Sequence, residues 1–220
     1  MTRLPSFYAL SLLAGALLVG SGGLRHPLLT GEGPAQLAAI ARTAGWNGIH
    51  LALAFGFVLV VAGLVGVALQ HGDTRGAGAA RTGIPLAVLG YGTALVGVLF
   101  MAGAAPELAA AYTTAQPGLA ATEAVFVYDM LRPAATMALR VGEFAIGLSM
   151  WAYGWAVLDG RLFPRWLGWF GVGAGAVCAL WAVVMSPDAA ILMGGMAPVT
   201  VWQVLVGGWM VVTEGRRGPP

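Results

Sequence analysis

The chain has 220 residues, of which 59% are hydrophobic and 9% charged, against about 25% charged in an ordinary soluble domain. Its net charge of +2 comes from eleven arginines and no lysine, too sparse a basic field to hold a nucleic acid. The single cysteine, Cys178, excludes an internal disulfide and every multi-cysteine metal or iron-sulfur pattern.

A hydrocarbon core about 30 Å thick needs about 20 apolar residues per helical span. Six such stretches follow one another, so the sequence predicts an all-α, polytopic membrane protein, a bundle of six transmembrane helices forming one domain over residues 1–220. Residues 5–23 read as a retained first span, not a cleaved signal peptide. A loop with Arg25 and His26 follows. Pro34 then suits a first helical position, and Leu37, Ile40 and Ala41 share one side, predicting a short interfacial helix over 34–43.

The second span is 46–70, with Trp46 at the headgroup level. Residues 71–82 read as a polar hairpin with a solvent-exposed His71, and 83–103 as the third span. Residues 104–132, broken at Pro106 and Pro117, are expected to form an ordered cap with a second interfacial helix starting at Thr122 and Glu123. Pro133 opens the fourth span, which runs to Leu158; a tight basic turn over 159–165 leads into the fifth, 166–185. After a turn at Ser186, Pro187 and Asp188 comes the sixth, 189–212, with a bend expected near Pro198.

Seven arginines (Arg3, Arg75, Arg81, Arg161, Arg165, Arg216, Arg217) fall on the side of the termini and three (Arg25, Arg42, Arg132) on the other, which predicts both termini in the cytoplasm and both interfacial segments on the outer face. Small residues recur at helical spacing: Gly171, Gly175 and Ala179 on the fifth span, Gly90 and Ala94 on the third, Ala145 and Ser149 on the fourth. Packing within the chain explains them better than a homodimer seam. Neither half of the chain repeats the other, which argues against a transporter built of inverted halves.

Residues 151–180, WAYGWAVLDGRLFPRWLGWFGVGAGAVCAL, carry a helix end, the turn from Asp159 to Arg165, and Trp166-Leu167-Gly168 opening a Gly-rich helix. This stretch resembles a signature in a family of uncharacterised bacterial membrane proteins of about six helices, a domain of unknown function. The resemblance covers about a sixth of the chain. It implies a fold and a multi-pass place in the bacterial cytoplasmic (inner) membrane, and no activity.

The candidate chemistry sits on the fourth span. Arg140 and Glu143 lie inside its apolar run, three residues apart and on one face. An ionised group at membrane depth costs about 2.5 to 3.5 kcal/mol on insertion scales, so such a pair closes an internal salt bridge or serves a site. With His50, Asn47, Asp129 and Arg132 it would line a polar ligand pocket opening outward, and Trp46 and Tyr128 belong to the same polar and aromatic belt. Contact between His50 and Glu143 requires the fourth helix to start above Pro133.

His26 and His50 together would suit a divalent metal or the axial positions of a haem b. Neither spacing is a motif, and there is no Gly-x-Ser-x-Gly elbow or Walker loop. Gln203, inside the sixth span, needs a partner in the bundle. The leading expectation is therefore a non-enzymatic membrane protein with that pocket. The alternatives are a haem-bearing electron carrier or accessory subunit of a larger membrane complex, a metal-assisted intramembrane enzyme, and a structural subunit. The partners expected are the lipid bilayer, further membrane subunits or a second copy, and no nucleic acid.

Overall fold

The computed structural model describes residues 4–114, 119–185 and 192–216. These form α1 (Leu4–Arg25), α2 (Gly33–Arg42), α3 (Trp46–Gln70), α4 (Ala77–Ala102), α5 (Ala104–Thr114), α6 (Leu119–Gly160), α7 (Arg165–Val184), a 3-10 turn (Leu192–Gly195) and α8 (Met196–Arg216), with no strand among the described residues. Six helices (α1, α3, α4, α6, α7 and α8) are long and apolar enough to cross a membrane. A bilayer offers the backbone no hydrogen-bond partner, so each crossing must satisfy its own N–H and C=O groups, as a helix does.

The spans close into a ring in which α1 neighbours α3 and α8, α3 neighbours α4, α4 neighbours α6, α6 neighbours α7, and α7 returns to α8. Neighbours run antiparallel. Glycines set the close seams: a Cβ on Gly63 would lie 2.4 Å from Leu12, one on Gly90 2.7 Å from the Ile146 nitrogen, and one on Gly147 2.5 Å from the Ala179 nitrogen. Gly171 abuts Trp202, and Gly175 abuts Trp151. The small-residue stripes are thus used inside the chain, where lipid supplies no hydrophobic drive and backbone approach must supply the contact.

Polar side chains inside the ring are tied mostly to backbone. Ser149 donates to the Gly83 carbonyl at 2.8 Å, Tyr153 to Leu64 at 3.0 Å and the Trp202 indole to Leu167 at 2.8 Å. Gln203 finds its partner in Tyr91, Nε2 lying 2.5 Å from the phenol oxygen.

Several boundaries move. The third span begins at Ala77, not 83, because Ala80 is buried and extends the packed face, leaving a connection of only 71–76. The fourth begins at Leu119, so the separate interfacial helix expected from Thr122 is the first part of α6. Pro133 lies inside this helix instead of opening a span. It frees the carbonyl four residues back, that of the exposed Asp129, so the lost hydrogen bond falls above the apolar region. At 42 residues, α6 is about 63 Å long, roughly twice the hydrocarbon thickness.

Its protruding part packs against α2 and α5 in a second small core of Leu37, Ile40, Trp46, Ala105, Ala109 and Tyr128. Pro106 stands in the first turn of α5, where a missing N–H costs nothing, so it admits a helix where a break was expected. Pro198 likewise stands in the first turn of α8 and bends no span. The expected turn at Ser186, Pro187 and Asp188 lies outside the described residues, as does Pro117.

At the opposite, uncapped end His71 is fully buried, correcting the expectation of exposure. Its Nδ1 donates to the Val67 carbonyl at 2.8 Å and its ring stacks on Phe163, with centres 5.8 Å apart at 12°. A Cβ on Gly160 would fall 2.5 Å from the His71 ring. The left-handed position that ends α6 therefore falls one residue later, on Arg161 at φ 55°, at a backbone cost of about 1–2 kcal/mol.

Candidate functional site at the capped end

Twenty residues of α7 rise about 30 Å, one hydrocarbon thickness, so its C-terminus marks the membrane boundary at the capped end. Arg140 sits there. Its Nε donates to the Ala182 carbonyl at 3.0 Å, and Nη2 donates to Val183 at 3.2 Å and Met185 at 2.7 Å. These are carbonyls that a helix end leaves without partners, and a cation also suits the negative end of the helix dipole. Arg140 is committed to α7, and the salt bridge expected with Glu143 is absent among the described residues.

Glu143 lies one turn deeper on α6, 1% exposed, and neither carboxylate oxygen has a hydrogen-bond partner. Its backbone carbonyl accepts from the Cys178 thiol at 3.3 Å, and the Cys178 sulfur lies 3.9 Å from that of Met196. An ionised carboxylate so placed costs several kcal/mol unless a cation or proton joins it.

His50, also 1% exposed, occupies the ring end of α3. Its Nδ1 donates to the Trp46 carbonyl at 2.9 Å, and that of His26 donates to Pro27 at 2.8 Å. Both tautomers are thereby set, with Nε2 carrying the lone pair. The two imidazole centres are 5.0 Å apart, edge to face, and Trp46 covers His50 at 4.4 Å. Burial pushes His26 below its ordinary pKa, a shift only partly opposed by its bond to Pro27.

Two axial ligands on opposite sides of an iron, each nitrogen about 2 Å from it, need ring centres about 6 Å apart with the macrocycle between them. The rings here touch each other. No three residues among His, Cys, Asp and Glu gather as a metal set among the described residues.

The remaining expected pocket residues serve the cap. Tyr128 donates to the Gln36 side chain at 2.9 Å, and Gln36 donates to the Gly31 carbonyl at 2.8 Å. The Asp129 carboxylate lies against Gly33, the first residue of α2, where negative charge suits the helix dipole. Arg132 is half-buried just before Pro133, and Asn47 is exposed. Asn47 lines a groove of about 430 Å³ with Trp46, Ile40, Pro106, Ala110 and Thr113. The contacts made by these residues are Arg140 on the end of α7, His26 against His50 and Trp46, and Tyr128 on Gln36.

A family model for a domain of unknown function, DUF4386, matches residues 8–213. The chain belongs to the DUF4386 family. No curated protein and no solved structure matches it. Sequence reasoning missed the Cys178 thiol on the Glu143 backbone carbonyl, because a spacing of 35 residues carries no local signal. The role of Arg140 was hidden in the same way, since the carbonyls it meets are 42 to 45 residues away.

Proposed function

We propose that this DUF4386 protein is a non-enzymatic membrane protein that binds a small cation, an alkali ion or a protonated amine, on Glu143, reached from the capped end. The observation that carries the reading is the Glu143 carboxylate itself, buried with both oxygens unpartnered while the nearest arginine serves another helix. A buried acid in this state is neutralised by a proton or by a cation, and its two unpartnered oxygens are what a cation would meet there. Trp46, His26 and His50 stand at the end of the ring above it, and the cap of α2 and α5 limits access from water.

The test is thermal unfolding of the detergent-purified protein in sodium, ammonium or methylammonium chloride, with choline chloride as the matched control. One of the three should raise the wild-type Tm, by about 5 °C at a hundredfold excess over its Kd. Glu143→Gln should fold in normal yield and show no such rise. A rise that persists in Glu143→Gln, or its absence from the wild type for all three salts, overturns the reading.

A second reading has one observation in its favour. Two imidazoles whose Nδ1 atoms both donate to backbone carbonyls have the outer-shell arrangement of metal-bound histidines, and ring centres 5.0 Å apart suit two ligands side by side on one divalent ion. Stoichiometric zinc or copper in the purified protein, lost in His50→Ala, would establish it.

A further inference from the structure

The uncapped end holds a groove that none of the preceding readings uses. It encloses about 370 Å³ and is lined by Arg75, Arg161, Arg165, Asp159, Trp155 and Trp169. We infer that this groove binds the phosphate headgroup of an anionic phospholipid from the leaflet at the uncapped end.

Charge is the first argument. Three guanidinium groups face one carboxylate, and among the described residues none of the three makes a side-chain hydrogen bond or ion pair. Arginine matches phosphate oxygens with paired donors, and basic pockets between spans at this level hold lipid headgroups. Arg165 is also the first residue of α7, so the positive end of a 20-residue helix adjoins the groove.

Construction is the second. The connection 71–76 is pressed onto the end of α6, a Cβ on Gly76 falling 2.3 Å from the Ala156 carbonyl oxygen, which brings Arg75 beside Asp159 and Arg161. The buried His71, stacked on Phe163, ties that connection to the turn carrying Arg161. Arg161 takes its place in a left-handed conformation that favours glycine. Such a conformation persists only where the surrounding contacts hold it, here the packing of Gly160 on His71.

The wall decides between a lipid and a free phosphate. Trp155 and Trp169 meet with ring centres 5.8 Å apart, and Trp169 is exposed on the outside of the ring. Indoles there sit at the headgroup level and flank acyl chains, so the groove is open to lipid along one side. A soluble phosphate would gain nothing from that wall.

The experiment uses the full chain in a mild uncharged detergent, with dihexanoyl phosphatidylglycerol, dihexanoyl phosphatidylcholine and inorganic phosphate added separately at equal concentration. Phosphatidylglycerol should raise the Tm by about 3 °C or more, and neither of the others should match it. Arg161→Gly keeps the fold in view: released from its strained backbone, it should unfold at the same or a higher temperature without lipid, yet lose at least half of the phosphatidylglycerol rise. Arg161→Gln with Arg165→Gln should abolish that rise. An equal rise with phosphatidylcholine or inorganic phosphate, no rise with phosphatidylglycerol, or a full rise retained in the variants overturns the inference.

Discussion

His71 shows how one side chain joins two connections. Its ring is buried, bonded at Nδ1 to Val67 and stacked on Phe163, and the Ala156 carbonyl faces Nε2 without reaching hydrogen-bond geometry. Burial pushes its pKa below the ordinary value of 6.5, against the bond to the Val67 carbonyl that raises it. The unfolded chain therefore takes up a proton at a higher pH than the folded one. Stability from this residue is complete above about pH 6.5 and is lost as pH falls through the lower folded value. Wild-type Tm should drop by a few degrees more than that of His71→Gln between about pH 7.5 and about pH 5, followed by differential scanning fluorimetry in detergent. The acidic groups and His26 are common to both proteins and cancel in the comparison.

At the scale of elements, backbone approach does what apolar burial does in a soluble core. Along the α6–α7 seam a Cβ on Gly147 would meet the backbone of Ala179 and Gly175, and one on Gly154 that of Val172 and Gly168, too close in both cases without movement. Gly147→Val forces backbone against backbone and should cost about 1–3 kcal/mol. Gly173, on the same α7 but facing open space, is the control. Gly173→Ala should be neutral or stabilising by about 0.5–1 kcal/mol, because glycine in a helix interior loses more entropy on folding than alanine. Unfolding of the two variants in mixed detergent micelles separates a seam effect from a general response to larger side chains. The long α6 obeys the same reasoning at its other end, where Val125 and Tyr128 have packing partners in the cap and the helix continues through Pro133.

At the scale of the molecule, the ring closes where the first span meets the last. Gly20 on α1 faces Thr200 on α8, a Cβ at Gly20 lying 3.4 Å from the threonine methyl, and Gly207 packs on Leu13 nearer the uncapped end. Gly20→Cys with Thr200→Cys in a Cys178→Ala background should form an intramolecular disulfide on mild oxidation in membranes, seen as faster migration on a non-reducing gel. A ring left open between α1 and α8 would give no such product. Closure also encloses Glu143, Gln203 and Tyr91, which would otherwise face lipid at a cost of several kcal/mol each.

By itself the sequence determined the class of protein, six spans, and the identity of the groups that need explanation in an apolar setting. Those properties are local: about 20 apolar residues announce a crossing wherever they occur, and Arg140, Glu143 and Gln203 stand out against such runs. Trp46, the helix over 34–43 and the turn at 159–165 were legible for the same reason. Only the tertiary structure decided what each group does. Arg140 caps a helix whose end lies more than 40 residues away in the chain, His71 is buried by a turn about 90 residues downstream, and Pro133 is tolerated because α2 and α5 hold the protruding helix. Pairing across such distances follows from which helix faces which. Glycine contacts spread over the whole ring settle that order, and a local pattern of residues does not contain it.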